Sequence, residues 1–287
     1  MPSLSIHYNS IILFMHCIYL YFCFFFAAFF SLVVFLSSGP EVFLDFVFAY
    51  FFELLLSLDN AFVFVVIFKY FQICHLYQSK VLYFGIIGAL ISRLIIISLA
   101  IYIVDISKYM FLFFGVFLVF SGIKLQKVAS LIFDFKNSLI HRLISNIKII
   151  DYKYDERKFF YIKNKSIIVT QFGLAFIMVE KADLVFAFDS VPVILSITND
   201  LFIAFSSNVF AVLALRSIYF VLSNSLDKFY YLKNTVSSIL IYVGLKMILS
   251  VISLNVNNDV SFIITSIVFS IGLIVSIIRV SIFNLNK

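Results

Sequence analysis

Residues 53–60, ELLLSLDN, place two acids and an amide inside an apolar run that extends from Val42 to Phe68. A charged side chain at the centre of a bilayer costs about 2.5–3.5 kcal/mol on insertion scales. Glu53, Asp59 and Asn60 therefore need partners that offset this cost. Any fold for this chain must bring other polar groups against residues 53–60.

The composition is that of an integral membrane protein. Of the 287 residues, 63% are hydrophobic and 13% are charged, whereas soluble domains have about 45–50% apolar and about 25% charged residues. The three cysteines form no C-x-x-C pair and no cluster with histidine, which argues against disulfides and against a soft-metal site. The net charge of +6 comes mainly from one connecting loop, so it indicates a cytosolic face rather than a nucleic-acid partner.

A helix of about 20 apolar residues crosses a bilayer, and we predict an all-α membrane helix bundle with about eight spans. The predicted spans are roughly 11–36, 42–68, 81–104, 109–125, 166–188, 201–222, 236–254 and 261–282. The first span is a possible signal anchor. It lacks the basic region of a cleaved signal peptide, and its apolar run is longer than such a peptide needs.

Lysine and arginine are concentrated on one side of the predicted membrane. One set of alternate connections, which includes loop 126–165, carries about fourteen of these residues, against only Lys108 in the opposite set. We therefore expect a multi-pass protein whose termini and loop 126–165 face the cytosol, or the stroma or matrix of an organelle. The plasma membrane and an organellar membrane both remain open.

The loop 126–165 is a candidate surface for protein partners. Its segment Leu131–Ile150 has apolar residues at helical spacing, with basic residues and His141 between them. This pattern predicts either an amphipathic helix on the membrane surface or an ordinary solvated linker helix.

The chain also contains an internal repeat. Glu53-x5-Asp59 is similar to Asp183-x5-Asp189, and each acidic pair is followed by a span with an arginine and then by a span with a Gly-x-Lys motif. The later members of the two series are Arg93 and Gly122-Ile123-Lys124, and Arg216 and Gly244-Leu245-Lys246.

The repeat divides the chain into an N-terminal span, two three-helix units, the loop and a final span. Their ranges are 1–40, 41–125, 126–165, 166–254 and 255–287. Because three is odd, we expect the two units to run in opposite senses through the membrane. Inverted repeats place substrate and ion sites near the bilayer midplane, at the interface between the repeats.

Helical spacing puts several of these polar residues on shared faces. Glu53, Ser57 and Asn60 follow an i, i+4, i+7 pattern, and Glu180 and Asp183 are three residues apart. These two faces are the core of the predicted site.

The apolar run from Ser166 to Ile197 is too long for one straight span. We expect Pro192 to break or kink it near Asp189, which would free backbone carbonyls as further oxygen ligands.

We take five carboxylates and five cations as the charged groups of the bilayer interior. They are Glu53, Asp59, Glu180, Asp183 and Asp189, and Arg93, Lys124, Lys181, Arg216 and Lys246. In one interpretation these charges pair internally and only fix the packing of the helices.

In the other interpretation the acids surround a cation together with Ser57, Asn60 and Asn208. Oxygen ligands without histidine or cysteine suit Mg²⁺, Ca²⁺ or Mn²⁺. Crowded carboxylates in a low-dielectric site need a cation or protons, which is the basis for metal–proton exchange. Arg93 and Arg216 would orient the acids and limit the charge of the empty site.

The chain contains no Ser/His/Asp or Cys/His catalytic set, phosphate loop or dinucleotide fingerprint. We therefore expect neither an enzyme nor a tightly bound cofactor, and the partners that we expect are the lipid bilayer and a metal ion.

At these residues the sequence resembles the TerC family, integral membrane proteins named for tellurium resistance. The matching stretches are 51–64, 84–97, 114–125, 179–200, 205–222 and 242–247. The resemblance covers roughly 25–285 and implies a transporter-like fold related to the LysE-type exporters. It also implies the export of metal ions, manganese in particular.

The acidic positions that the resemblance implies are Glu53, Asp59, Asn60, Glu180, Asp183 and Asp189. Lys181 departs from the family, which usually has a neutral residue there, and it could occupy a neighbouring acid as an internal counter-ion. Plastid members of the family are linked to thylakoid membrane assembly. This gives the alternative function, a membrane-protein biogenesis or assembly factor whose buried charges are structural.

Overall fold

The computed structural model describes residues 2–107, 109–128, 150–151, 158–163, 166–222, 232–252 and 257–285. Within these ranges it contains eight helices. They are α1 (Pro2–Ser38), α2 (Pro40–Tyr70), α3 (His75–Ile106), α4 (Tyr109–Val128), α5 (Gln171–Leu195), α6 (Leu201–Leu222), α7 (Leu232–Val251) and α8 (Asn258–Leu285). Each helix contains most of one predicted span, which confirms an α-helical membrane bundle.

Five segments of the described chain are long and apolar enough, by length and composition, to cross a membrane. They are Met15–Ser38, Tyr77–Val104, Leu201–Phe220, Asn234–Val251 and Asp259–Ser276. A shorter apolar segment, Tyr109–Lys124, lies in α4. The total of about eight spans therefore stays a prediction.

The connection between α1 and α2 is a single residue with a positive φ angle. Gly39 has φ +90° and ψ 177°, a conformation that L side chains rarely adopt. Pro40 then starts α2, where its missing N–H leaves no hydrogen bond unmade. These two residues reverse the chain, so that α1 packs against both α2 and α6.

A small sheet precedes α5 and corrects the predicted start of the fifth span. Its strands are β1 (Ile150–Asp151), β2 (Phe160–Lys163) and β3 (Ser166–Thr170), in the order β1-β3-β2. The predicted fifth span began at Ser166, but the β-branched sequence Ile-Ile-Val-Thr pairs as a strand there. Thr170 then accepts a hydrogen bond from the Gly173 N–H at 3.0 Å and caps α5.

Two further predictions concern this region. The amphipathic helix predicted over Leu131–Ile150 lies outside the described residues, except for Ile150, which belongs to β1. The expected break near Asp189 is wrong, because α5 continues through Pro192 and ends at Leu195, whereas a kink there stays a prediction. The strand takes up the first residues of the long apolar run, and the proline removes the hydrogen bond to the carbonyl of Phe188 without ending the helix.

The two predicted units contact each other along several helices. Helix α2 packs against α5 and α6, α3 packs against the same two helices, and α4 packs extensively against α7. At the α4–α7 crossing, a Cβ built on Gly122 would lie 2.9 Å from the Ser237 carbonyl oxygen. A Cβ built on Gly244 would lie 2.7 Å from the Gly115 carbonyl oxygen, so the two backbones touch directly.

The outward surfaces of the bundle are apolar. Large hydrophobic side chains are exposed along α1 and along α3, including Phe29 at 58% and Ile87 at 64%. Glu53, Arg93, Asp183 and Arg216, in contrast, are buried in the interior, which is the distribution expected for a helix bundle that faces lipid.

Candidate ion site

Two buried ion pairs lie in the interior of the bundle. Glu53 on α2 pairs with Arg93 on α3, and both side chains are 1% exposed. Asp183 on α5 pairs with Arg216 on α6, where Arg216 Nη2 donates to Asp183 Oδ2 at 3.1 Å. Each pair joins the first and second helices of one predicted unit. Mutual attraction at this depth offsets the cost of removing the charges from water.

The two pairs belong to one electrostatic cluster. Arg93 interacts with both Asp183 and Arg216, and Glu180 interacts with the same two residues. We call Glu53, Arg93, Glu180, Asp183 and Arg216 the central charge cluster. Its three carboxylates face two guanidinium groups, so the cluster has one carboxylate more than its arginines can neutralise.

The additional carboxylate occupies a notch on α3. A Cβ built on Gly85 would lie 2.6 Å from Glu180 Oε1, and one built on Gly88 would overlap the same carboxylate. The Gly85 position is also 3.5 Å from Arg216 Nη2. The two glycines therefore make room for Glu180 beside the Arg216 guanidinium, a role that their spacing in the sequence did not reveal.

Several buried oxygens on the same helices have no hydrogen-bond partner among the described residues. They belong to Ser57 on α2, Ser190 on α5 and Asn208 on α6, which are between 0% and 3% exposed. Glu53 Oε2 is also without a hydrogen bond in this part of the chain. A buried polar group left unsatisfied costs about 1–3 kcal/mol, so such groups commonly mark a site that water or an ion completes.

Asp189 is held separately from the central charge cluster. The Ser121 hydroxyl on α4 donates to Asp189 Oδ1 at 3.0 Å, and Lys124 on the same helix provides a nearby positive charge. The sequence predicted Asp189 as a ligand beside Asp183, but the partners that the structure describes for it are on α4.

Lys181 does not lie between the proposed acids. Its side chain is exposed, because a helix turns by 100° per residue and the inward positions are Glu180 and Asp183. The hypothesis that Lys181 acts as an internal counter-ion for these acids is therefore wrong. Arg216 takes that role instead.

The structure describes the two remaining predicted ligands, Asn60 and Asp59, in less detail. Asn60 is buried at 3% exposure on α2. Asp59 belongs to the same helix, but its side chain lies outside the described residues.

Among the described side chains, no group of three or more His, Cys, Asp or Glu is arranged to hold a metal ion. The six-residue metal site thus stays a prediction.

Sequence reasoning missed two features of this interior. Ser121 precedes the Gly122-Ile123-Lys124 motif and supplies the hydrogen bond to Asp189, but a serine in a span gives no indication of its partner. Asp45 was a stronger signal, since it is a third acid of the Val42–Phe68 run, and it interacts with Thr198 and Lys246 at one end of the bundle.

Similar proteins are found over most of the chain. The family described as "Integral membrane protein TerC family" matches residues 38–287. An uncharacterized membrane protein of Rickettsia bellii is 33% identical over 250 residues, which are 87% of this chain and 82% of that protein.

Two further relatives carry descriptive names. The chloroplastic thylakoid membrane protein TERC of Arabidopsis thaliana is 31% identical over 86% of this chain and 65% of its own length. The putative membrane-bound redox modulator Alx of Escherichia coli is 34% identical over 74% of this chain and 66% of its own length. No solved structure matches the chain.

The resemblance that the acidic motifs suggested is thereby confirmed across both predicted units and the final helix. With its buried acid–arginine pairs in a multi-pass helical bundle, this chain belongs to the TerC family of integral membrane proteins.

Proposed function

We propose that the chain exports a divalent metal cation, with Mn²⁺ as the expected cargo, through the central charge cluster. The observation that carries the proposal is the excess of carboxylate over arginine at the centre of an apolar bundle. Four residues of the cluster are buried and Glu180 is half-buried beside them, and the oxygens of Ser57 and Asn208 have no partner among the described residues. Hard oxygen ligands of this kind suit Mn²⁺ or Mg²⁺.

In this proposal the arginines act as built-in counter-ions. Arg93 and Arg216 keep Glu53 and Asp183 neutralised while the site holds no cargo, and a divalent cation competes with them for the carboxylates. Glu180 carries the charge that no arginine balances, so it is the group that we expect to take a proton when the cation leaves. Exchange of the divalent cation for one proton then limits the change in buried charge to one unit.

We further propose that residues 41–125 and 166–254 form two inverted units that rock about this site. Their equivalent contacts support the idea, since Glu53–Arg93 in one unit corresponds to Asp183–Arg216 in the other. At the α4–α7 crossing, Gly122 of α4 contacts Ser237 of α7, and Gly244 of α7 contacts Gly115 of α4. The two contact positions of α4 are seven residues apart, and so are the two contact positions of α7. Such a pseudo-symmetric pair suits alternating access from the two sides of the membrane.

The test is a manganese-sensitive host that expresses single variants of the acids. We expect Glu53→Gln, Asp183→Asn, Asp59→Asn and Asp189→Asn to raise cellular manganese and lower tolerance. Asp259→Asn, at an exposed acid in the first turn of α8, serves as the matched control. Cellular metal content measured by mass spectrometry checks the prediction, and wild-type levels in all four variants would exclude a transport role.

Binding is measured independently on the purified protein. A cation that binds only the folded state stabilises it by about 2.7 kcal/mol at a hundredfold excess over its dissociation constant. We expect Mn²⁺ to raise the unfolding temperature of the wild type and not that of Asp183→Asn.

The ion pairs also favour a second candidate, an assembly factor for other membrane proteins. Glu53 and Asp183 each have an arginine partner, as a purely structural role requires, and one relative is named as a thylakoid membrane protein. Partners would then bind the loop 126–165. Deleting residues 131–149 should abolish the assembly of client proteins and leave metal content unchanged, whereas a loop that can be removed without effect on assembly contradicts this candidate.

A further inference from the structure

A cavity of about 230 Å³ opens at the end of the bundle where α5 and α7 finish. Its lining includes Phe111 of α4, Thr198 and Asn199 of the α5–α6 connection, and Lys246 and Ser250 of α7. Helix α5 runs from strand β3 to this cavity, so the cavity and the small sheet lie at opposite ends of that helix. From the distribution of basic residues, we expect this end to face away from the cytosol.

Lys246 is the charged group of the cavity wall. It is 8% exposed and interacts electrostatically with Asp45, which lies one turn into α2. Asp45 also interacts electrostatically with Glu41 and Asp200, so among the described residues three acids lie at this mouth together with Lys246. Acids in excess at the entrance of a low-dielectric cleft raise the local concentration of cations.

The connection between α5 and α6 is fastened to the same carboxylate. Thr198 Oγ1 accepts a hydrogen bond from the Asp200 N–H at 3.2 Å, and the Thr198 side chain is hydrogen-bonded to Asp45. The threonine hydroxyl is therefore the donor to Asp45. Asp200 in turn caps α6, accepting from the Phe202 N–H at 2.7 Å. Asp45 thus ties together α2, the α5–α6 connection and α7.

Asp45 is eight residues before Glu53 on α2, a rise of about 12 Å along the helix. The mouth and the central charge cluster are therefore connected by two turns of a single helix. A cation that leaves Glu53 toward this end meets Asp45 as the next carboxylate of α2.

We propose that the Asp45–Lys246 pair is the outer gate of the cation path, and that the cavity is its vestibule for a hydrated divalent cation. Lys246 closes the path while it neutralises Asp45. A cation that arrives at Asp45 replaces the lysine ammonium, which then turns into the cavity that it already lines. The gate rests on the proposed transport function and adds to it a residue pair, a location and a side of the membrane.

The experiment measures the accessibility of the cavity in the full-length protein. Cys17, Cys23 and Cys74 are replaced by alanine, and a reporter is introduced as Ser250→Cys, a cavity position. Leu249→Cys is the matched control, since Leu249 is the preceding residue and does not line the cavity. A charged, membrane-impermeant maleimide is applied from each side of the membrane in turn.

We expect Ser250→Cys to react from the non-cytosolic side and Leu249→Cys to react from neither. With a positively charged maleimide, adding Lys246→Met removes the like charge that lines the cavity beside the reporter and should speed the Ser250→Cys reaction by about tenfold, which corresponds to ~1.4 kcal/mol. Lys246→Arg keeps the charge and should keep the slow rate. Mn²⁺ should slow the labelling when Asp45 is present and should have no effect in Asp45→Asn.

The outcomes separate the gate from the transport function. If the wild type exports manganese while Asp45→Asn and Lys246→Met export at the same rate, the gate is wrong and transport stands. A Ser250→Cys reporter that is unreactive from the non-cytosolic side, or whose rate Lys246→Met leaves unchanged, also overturns the gate. If the wild type exports no metal and Mn²⁺ protects no variant, the transport function fails and the gate fails with it.

Discussion

The two ion pairs of the bundle occupy corresponding positions in the predicted repeat but differ in their surroundings. Glu53 and Arg93 form a nearly inaccessible pair between α2 and α3. Asp183 and Arg216 form the corresponding pair between α5 and α6, but there a second acid, Glu180, shares the arginine. The difference shows that the two halves of the cluster are not interchangeable, because only the α5–α6 half carries an unbalanced charge.

Because of this asymmetry, we expect substitutions of the two arginines to cause the largest losses of stability. Removing one partner of a buried ion pair costs about 3–5 kcal/mol, because the other charge stays buried without compensation. We expect Arg216→Met to destabilise more than Arg93→Met, since it leaves two carboxylates rather than one. Thermal unfolding in detergent measures which of the two variants is less stable. Equal losses would show that Glu180 does not depend on Arg216.

A charge reversal provides the control for this comparison. Exchanging the partners as Glu53→Arg with Arg93→Glu retains a pair at the same place, and it should recover part of the stability that Arg93→Met loses. No recovery would indicate that the geometry of the surrounding cluster, rather than the pairing itself, decides the stability.

The notch on α3 holds Glu180, the additional acid of the α5–α6 half. We expect a substitution in this notch to have an intermediate effect on stability. Gly88→Ala places a methyl group where the Glu180 carboxylate lies, and overpacking of this kind costs about 1–3 kcal/mol. Glu180→Ala should remove most of that penalty, because it empties the notch. A double-mutant cycle of the two changes measures the coupling, and strictly additive effects would contradict the contact.

We expect the substitution of Ser121 to cause the smallest loss of stability among these variants. Ser121→Ala removes the hydrogen bond to Asp189 and should cost ~1 kcal/mol, as for a typical intramolecular hydrogen bond. Ser238→Ala is the matched control, because Ser238 is exposed and its hydroxyl donates only to a carbonyl of its own helix, that of Asn234 at 3.0 Å. Unfolding temperatures that fall equally in both variants would argue that Asp189 does not need Ser121.

The sequence predicted the kinds of residue in the interior better than it predicted their partners. Intramembrane charge is costly wherever it occurs, so Glu53, Asp183, Arg93 and Arg216 could be identified from the apolar runs around them. That Glu53 pairs with Arg93 depends on the tertiary arrangement of α2 and α3, which both pack against α5 and α6, and periodicity does not provide that arrangement.

The errors have local physical causes. The outward direction of Lys181 follows from helical geometry once Glu180 and Asp183 are known to face inward. The strand at Ser166–Thr170 was missed because a short β-branched apolar run is as compatible with a membrane helix as with a strand. The notch for Glu180 required knowing which helix lies opposite α5.

The glycine crossing of α4 and α7 has a mechanical consequence. Gly115 and Gly244 bring carbonyl oxygens and backbone atoms into direct apposition, with the side chains of Ile248 and Val119 packed beside the contact. Two helices in such contact can rotate about the point of contact, but they cannot separate without breaking the contact. We therefore expect this line to act as the fulcrum of any large motion, with displacements that grow with distance from it.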